Sequence, residues 1–227
     1  GRRTWLAAVT NYESPRSRAR LMTFRKSGGL YRSGKSLEDI MPGPIAVADV
    51  DADGDLDVFI GGRAVTGHYP QASVSVLFRN TTRSLDPAGG TLSQALGIVN
   101  GAVFSDLDGD GFPELIVATE WGPVRVFKNQ QGKFSEATEA LGLSGLTGLW
   151  QGVATGDFDG DGRTDIVATN WGLNSSLRPN LTNPPRLYYH FTDSSVPTSL
   201  ILAAWDDRLK QYLPTRDLVS LFRGYSG

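Results

Sequence analysis

The 227-residue chain has no cysteine, only two histidines and two methionines, and no long apolar run. Without cysteine there is no disulfide framework and no thiol chemistry. No stretch reaches about 18 consecutive apolar residues, which excludes a membrane-spanning helix. The opening, Gly1-Arg2-Arg3-Thr4-Trp5-Leu6, lacks the apolar core of a signal peptide. Together with the repeats below, that points to a chain that begins inside a longer protein. A formal net charge of −2 provides no basic field, so a nucleic-acid partner is not expected. His68 and His190 lie far apart, and the sequence holds no G-x-S-x-G elbow, phosphate-binding glycine loop or H-E-x-x-H. The chain is therefore expected not to be an enzyme.

What the chain has in plenty is glycine, 27 residues, and aspartate at a fixed spacing. Three stretches read D-x-D-x-D-G-x-x-[DE]. They are Asp49-Val50-Asp51-Ala52-Asp53-Gly54-Asp55-Leu56-Asp57, Asp106-Leu107-Asp108-Gly109-Asp110-Gly111-Phe112-Pro113-Glu114 and Asp157-Phe158-Asp159-Gly160-Asp161-Gly162-Arg163-Thr164-Asp165. Carboxylates at positions 1, 3, 5 and 9 of a curled loop can aim their oxygens at one centre. Position 7 (Asp55, Phe112 or Arg163) can add a backbone carbonyl, and glycine at position 6 permits the sharp turn. Hard oxygen ligands without Cys or His favour Ca²⁺, with Mg²⁺ second. A single such stretch is ordinarily a solvated turn. Here, however, thirteen of the 24 acidic residues fall within the three loops, and carboxylates so crowded repel one another without a cation. About three Ca²⁺ sites are expected.

An EF-hand or dockerin would require a helix after the loop and usually Glu at position 12. Position 12 here is Ile60, Val117 and Ala168, within β-branched runs closed by Gly or Trp-Gly. Strand-like residues also precede each loop, so each joins the two strands of a hairpin. The first aspartates recur at steps of 57 and 51 residues. The clearest unit reads strand, Asp loop, strand, turn, strand, turn, strand: 102–106, 114–120, 124–129 and 133–138. In the unit around Asp49 the third strand is expected at 75–80 and the fourth at 90–95. Four short antiparallel strands repeated at about 50 residues predict an all-β fold of β-propeller blades. The blades fall at about 4–40, 44–97, 101–140, 151–185 and 186–220. The first lacks its opening strand, and 173–185 is a polar, Pro-rich insertion. His190, Thr192, Ser194 and Thr198 occupy the ligand positions of a fourth loop that has lost its carboxylates, where no metal is expected. A short helix is expected at 216–224. About four blades, some incomplete, imply an open arc or a piece of a larger ring.

The motif V-A-x-x-D-F-D-G-D-G-x-x-D-I-V-A at 153–168, with V-x-V-F-K-N-x-x-G-K-F-x-E-A-T at 124–138, resembles FG-GAP and VCBS repeats. These are known from integrin α-subunit propellers and exported bacterial proteins. Residues 134–143, 168–174, 186–189 and 212–218 are similar to the bacterial group associated with ASPIC and UnbV domains. The resemblance covers about 40–220 and departs from the pattern in the lost fourth loop and in Glu114, which replaces Asp. It implies a Ca²⁺-stabilised propeller, usually exported to the cell surface, periplasm or medium, that often serves adhesion or recognition.

In an antiparallel blade, successive connections alternate between the two ends. The Asp loops lie at one end, where Ca²⁺ is expected to be structural. The other end carries His68 and Tyr69 in the 61–72 connection, Trp121 and Trp171 in equivalent turns, Trp150 in the 144–151 connection, and Asn174. These side chains suit a protein or glycan ligand, unless the tryptophans wedge between neighbouring blades as core. Three readings stay open: a non-enzymatic recognition or adhesion module, a carbohydrate-binding module, and a scaffold segment of an exported enzyme.

Overall fold

Short runs of β-branched and aromatic residues, broken every few positions by Gly, Asp or Asn, favour antiparallel hairpins over helices. A computed structural model describes residues 4–9, 19–26, 30–37, 40–66, 68–81, 84–172, 182–190 and 199–215. Among these the chain is all-β, with every strand pair antiparallel. Strands β1 (Thr4–Val9), β2 (Arg20–Lys26) and β3 (Leu30–Ser36) form a first sheet of three. A second sheet runs in sequence order through β4 (Pro42–Ala48), β5 (Asp57–Gly62), β6 (Val76–Asn80) and β7 (Leu85–Pro87). The third unit repeats that order with β8 (Ile98–Ser105), β9 (Glu114–Gly122), β10 (Val124–Gln130) and β11 (Lys133–Glu136). A hairpin of β12 (Gly148–Gly156) and β13 (Asp165–Asn170) follows. A last sheet holds β14 (Arg186–His190), β15 (Ser199–Asp206) and β16 (Gln211–Pro214).

Two features depart from the sequence pattern. The fourth strand of the second unit is β7, not 90–95. Thr81 N donates to Ser84 O at 2.7 Å and Asn80 pairs with Leu85, so the chain turns back earlier. The 90–96 segment instead makes turns, with φ of 76° at Gly90, and buries Leu92 and Leu96 in the core. The second departure joins neighbouring units. β12 pairs with the end of β9, Gly148 opposite Gly122 and Leu149 opposite Glu120, so the third and fourth units share hydrogen bonds. The expected helix at 216–224, the remnant loop positions Thr192, Ser194 and Thr198, and Asn174 all lie outside the described residues. His190 ends β14.

The core follows from strand alternation. On β5, Val58 and Ile60 point toward the first sheet and join Leu21, Leu37, Val76 and Phe78. Phe59, between them, points the other way and joins Leu77, Leu115, Val117 and Phe127 against the third unit. On β9, Leu115 and Val117 share that cluster, whereas Ile116 turns to the fourth unit with Val124, Val126, Trp150 and Ile166. A period of two thus feeds both faces of each sheet into a separate inter-sheet layer. β5 is buried along its whole length, as a strand covered on both faces must be.

The first strands of successive units approach closely enough to require glycine. A Cβ on Gly101 of β8 would lie 2.9 Å from Gly152 Cα of β12, a backbone contact that cannot give way. Gly101→Ala is expected to force the two strands apart and cost about 1–3 kcal/mol. The measurement is the denaturant midpoint, which should fall with little change in m-value.

Candidate metal centres

The three acidic loops connect β4 to β5, β8 to β9 and β12 to β13, and each curls by the same side-chain-to-backbone bonds. Asp49 Oδ2 accepts from Gly54 N at 2.9 Å, Asp106 Oδ2 from Gly111 N at 2.9 Å and Asp157 Oδ2 from Gly162 N at 3.0 Å. The position-5 carboxylates Asp53, Asp110 and Asp161 accept from the amides of Asp55, Phe112 and Arg163 at 2.9, 2.9 and 2.8 Å. The residues expected to lend carbonyls are thus tied to the loop by their amides. Gly54, Gly111 and Gly162 have φ of 89°, 86° and 83°, with no atom within 4 Å of a would-be Cβ. Backbone conformation, not space, selects glycine there. Position 4 is also left-handed, and in the first loop it is Ala52, with φ 61°, where the other two loops have glycine. That conformation costs an alanine on the order of 1 kcal/mol.

Position 9 clamps each loop shut. Asp57 Oδ2 accepts from Val50 N at 3.3 Å, Glu114 Oε2 from Leu107 N at 2.8 Å and Asp165 Oδ2 from Phe158 N at 3.0 Å. The longer Glu114 makes the same bond as the aspartates. In the first two loops the second oxygen also takes an amide from near the end of the third strand: Asn80 N at 2.8 Å to Asp57, and Asn129 N at 3.3 Å to Glu114. Burial pushes both carboxyls above their usual range, opposed by those amide bonds.

Carboxylate oxygens converge within 4.8 Å in each loop: Asp49, Asp51 and Asp53; Asp106, Asp108 and Glu114; Asp157, Asp159 and Asp165. Asp57 in the first loop, and Asp110 and Asp161 in the others, lie outside these groups. So does Asp55. The donor set is entirely oxygen, as Ca²⁺ requires, and Asp51 Oδ1 is buried with no hydrogen-bond partner. These residues fit a bound divalent cation. Two basic residues also reach the loops. Arg79 on β6 pairs with Asp51 at 2.8 Å and Asp57 at 3.0 Å, and Lys128 on β10 pairs with Asp108. The Lys128 contact holds the Asp108 carboxyl below its usual range. Neither cation was singled out in the sequence, although Phe78-Arg79-Asn80 and Phe127-Lys128-Asn129 repeat the same order.

At the other end of the strands, Tyr69 and Trp121 are drawn together. Tyr69 Oη donates to Glu120 Oε1 and accepts from Trp121 Nε1. Asn100 Nδ2 donates to Trp150 O at 2.9 Å and to Glu120 Oε2 at 3.4 Å, so one polar chain crosses three units. Glu120 and Asn100 gave no signal of their own in the sequence, because only the stacking of units makes them neighbours. Trp150 packs on the third core layer and donates from Nε1 to Leu146 O at 3.0 Å. Trp171 stays 58% exposed. His68 Nδ1 sits 3.1 Å from Thr66 O in the 61–72 connection. Of the four aromatic candidates, three are engaged between units and Trp171 alone keeps an open ring.

Two outcomes are expected. Asp57→Ala removes one of the partners of Arg79 and leaves the Val50 and Asn80 amides without their acceptor, and should cost about 3 kcal/mol, read by chemical denaturation. Burial and the Glu120 carboxylate raise the Tyr69 phenol well above its ordinary 10.0. Its contribution to stability is therefore complete below pH 10.0 and is lost as pH rises beyond it. Wild-type protein should lose Tm on the alkaline side more steeply than Tyr69→Phe. No curated protein matches the chain. Residues 106–168, from the first aspartate of the second loop into β13, match the FG-GAP-like repeat family.

Proposed function

We propose that this chain is a segment of a Ca²⁺-stabilised β-propeller of about four blades, within the bounds set out above, that acts outside the cytoplasm as a non-enzymatic recognition or adhesion module. The observation that carries this reading is the set of three hairpin tips at which carboxylate oxygens converge within 4.8 Å. The FG-GAP-like match over 106–168 supports it, since such repeats are typically extracellular modules. When bound, Ca²⁺ supplies two positive charges and a preference for six to eight oxygen ligands. The protein's part is to aim Asp49, Asp51 and Asp53, Asp106, Asp108 and Glu114, and Asp157, Asp159 and Asp165 at one point in each loop. Carbonyls of Asp55, Phe112 and Arg163 complete the set. The metal is structural in this reading, because eight of the nine converging carboxylates already accept a backbone amide of their own loop, Asp51 pairing instead with Arg79.

Recognition falls to the opposite end, where Trp171 keeps an exposed ring while Tyr69, Trp121 and Trp150 join neighbouring units. One observation favours a glycan over a peptide there. Trp171 offers an exposed ring at a strand end, the arrangement that stacks on a sugar face. Among the described residues no helix is long and apolar enough to cross a membrane.

Thermal unfolding with EDTA and with millimolar Ca²⁺ tests the metal assignment. Free Ca²⁺ at 100 times Kd stabilises by about 2.7 kcal/mol per site, a rise of roughly 5–10 °C in Tm for a chain of this size. Titration calorimetry should return about three sites. An unchanged Tm together with no heat of binding would remove calcium from the account.

A further inference from the structure

Among the described residues the three loops differ in the positive charge that the protein itself brings to them. In the first, Arg79 bonds Asp51 Oδ2 at 2.8 Å, Asp57 Oδ2 at 3.0 Å and Gly132 O of the next unit at 2.5 Å. Its side chain is 21% exposed and Asp57 is 1% exposed, so moving the guanidinium away would strand a buried carboxylate and a carbonyl. Arginine does not lose its proton, and this one stays. The second loop has Lys128 at the equivalent place on β10. It pairs with Asp108 and lies 4.0 Å from Asp110 Oδ2. That ammonium is on a flexible stem, with a side chain 39% exposed, and can swing into water. Around the third loop, Arg163 Nε is 4.0 Å from Asp161 Oδ2, with its side chain 85% exposed to solvent.

The bracing differs in the same order. Asn129 Nδ2, on the third unit, donates to Val50 O of the first loop at 2.8 Å, and Val50 is fully buried. Arg79 fastens the same loop to the β10–β11 turn. Leu107 of the second loop packs on the third core layer, whereas Phe158 of the third loop is 62% exposed.

We propose that these resident cations and braces grade the loops, so that the 157–165 loop takes Ca²⁺ first and depends on it most. The 106–114 loop fills next, by releasing Lys128. The 49–57 loop is held in shape by Arg79 without metal and binds Ca²⁺ most weakly, beside a fixed like charge. Metal would then order the β12–β13 end of the chain while the joint between the second and third units persists without it. This rests on the calcium reading above. It identifies Arg79 and Lys128 as the residues that set affinity, and the third loop as the Ca²⁺-responsive element.

Hydrogen exchange read by mass spectrometry on peptides from the three loops, in EDTA and along a Ca²⁺ titration, tests the order. In EDTA the 49–57 peptide should be protected and the 157–165 peptide fast. Protection of the third loop should appear at the lowest Ca²⁺. Calorimetry on Lys128→Met should show the second site tightened about tenfold, the Coulomb effect of one charge several ångströms from a divalent ion at high effective dielectric. The third site should be unchanged. Equal exchange of all three loops in EDTA, or three equal affinities that Lys128→Met does not alter, would overturn the grading and leave calcium binding intact. No binding to any loop would overturn both.

Discussion

Mutual repulsion among carboxylates crowded at three hairpin tips is the constraint on which the rest of the molecule turns. Each loop answers it first with its own backbone. Position 1 accepts the amide of the glycine at position 6, position 5 the amide at position 7, and position 9 the amide at position 2. These bonds hold the oxygens on the inside of the curl, which concentrates negative charge as it shapes the loop. The same feature that makes the curl tight therefore makes a cation favourable there. Where an arginine or lysine from the third strand leans in, part of that demand is met by the protein.

The loops hold their positions because the sheets behind them are packed on both faces. Val58 and Ile60 on one side of β5, and Phe59 on the other, serve two different inter-sheet layers. β9 repeats the arrangement with Ile116 set against Leu115 and Val117. A loop at the tip of such a strand inherits the rigidity of two interfaces. The third loop stands on β12 and β13, whose residues are half-buried or exposed, and its Phe158 meets solvent where Val50 meets core. Among the described residues, burial behind the loops thus declines along the chain in parallel with the burial of the nearest cation.

At the opposite end the same stacking produces a polar chain in place of an acidic one. Tyr69, Glu120 and Asn100 come from separate segments and tie three units through hydrogen bonds that end on Trp150 O. The Tyr69 phenol and Trp121 indole serve this joint, whereas Trp171 keeps an exposed ring.

Period and spacing in the sequence determined the all-β character, the hairpin placement of each Asp loop and the oxygen-only chemistry of the candidate sites. These are local properties: alternation needs only a strand, and D-x-D-x-D-G needs only nine residues that curl. The misplaced fourth strand shows where local reading fails. Residues 90–95 look extended, but Leu92 and Leu96 are drawn into the layer between units and the strand forms at Leu85–Pro87 instead. Which carboxylates converge was likewise beyond the motif, since Asp57 is turned to Arg79 and Asn80 by a neighbouring strand. Only the tertiary structure decided the Arg79 and Lys128 contacts, the Tyr69–Glu120–Asn100 chain and the exposure of Trp171. The first two depend on which third-strand side chain lies beside the loop of its own unit, 20 and 22 residues away in Lys128–Asp108 and Arg79–Asp57, and the polar chain on how units stack, neither of which the nine-residue motif encodes.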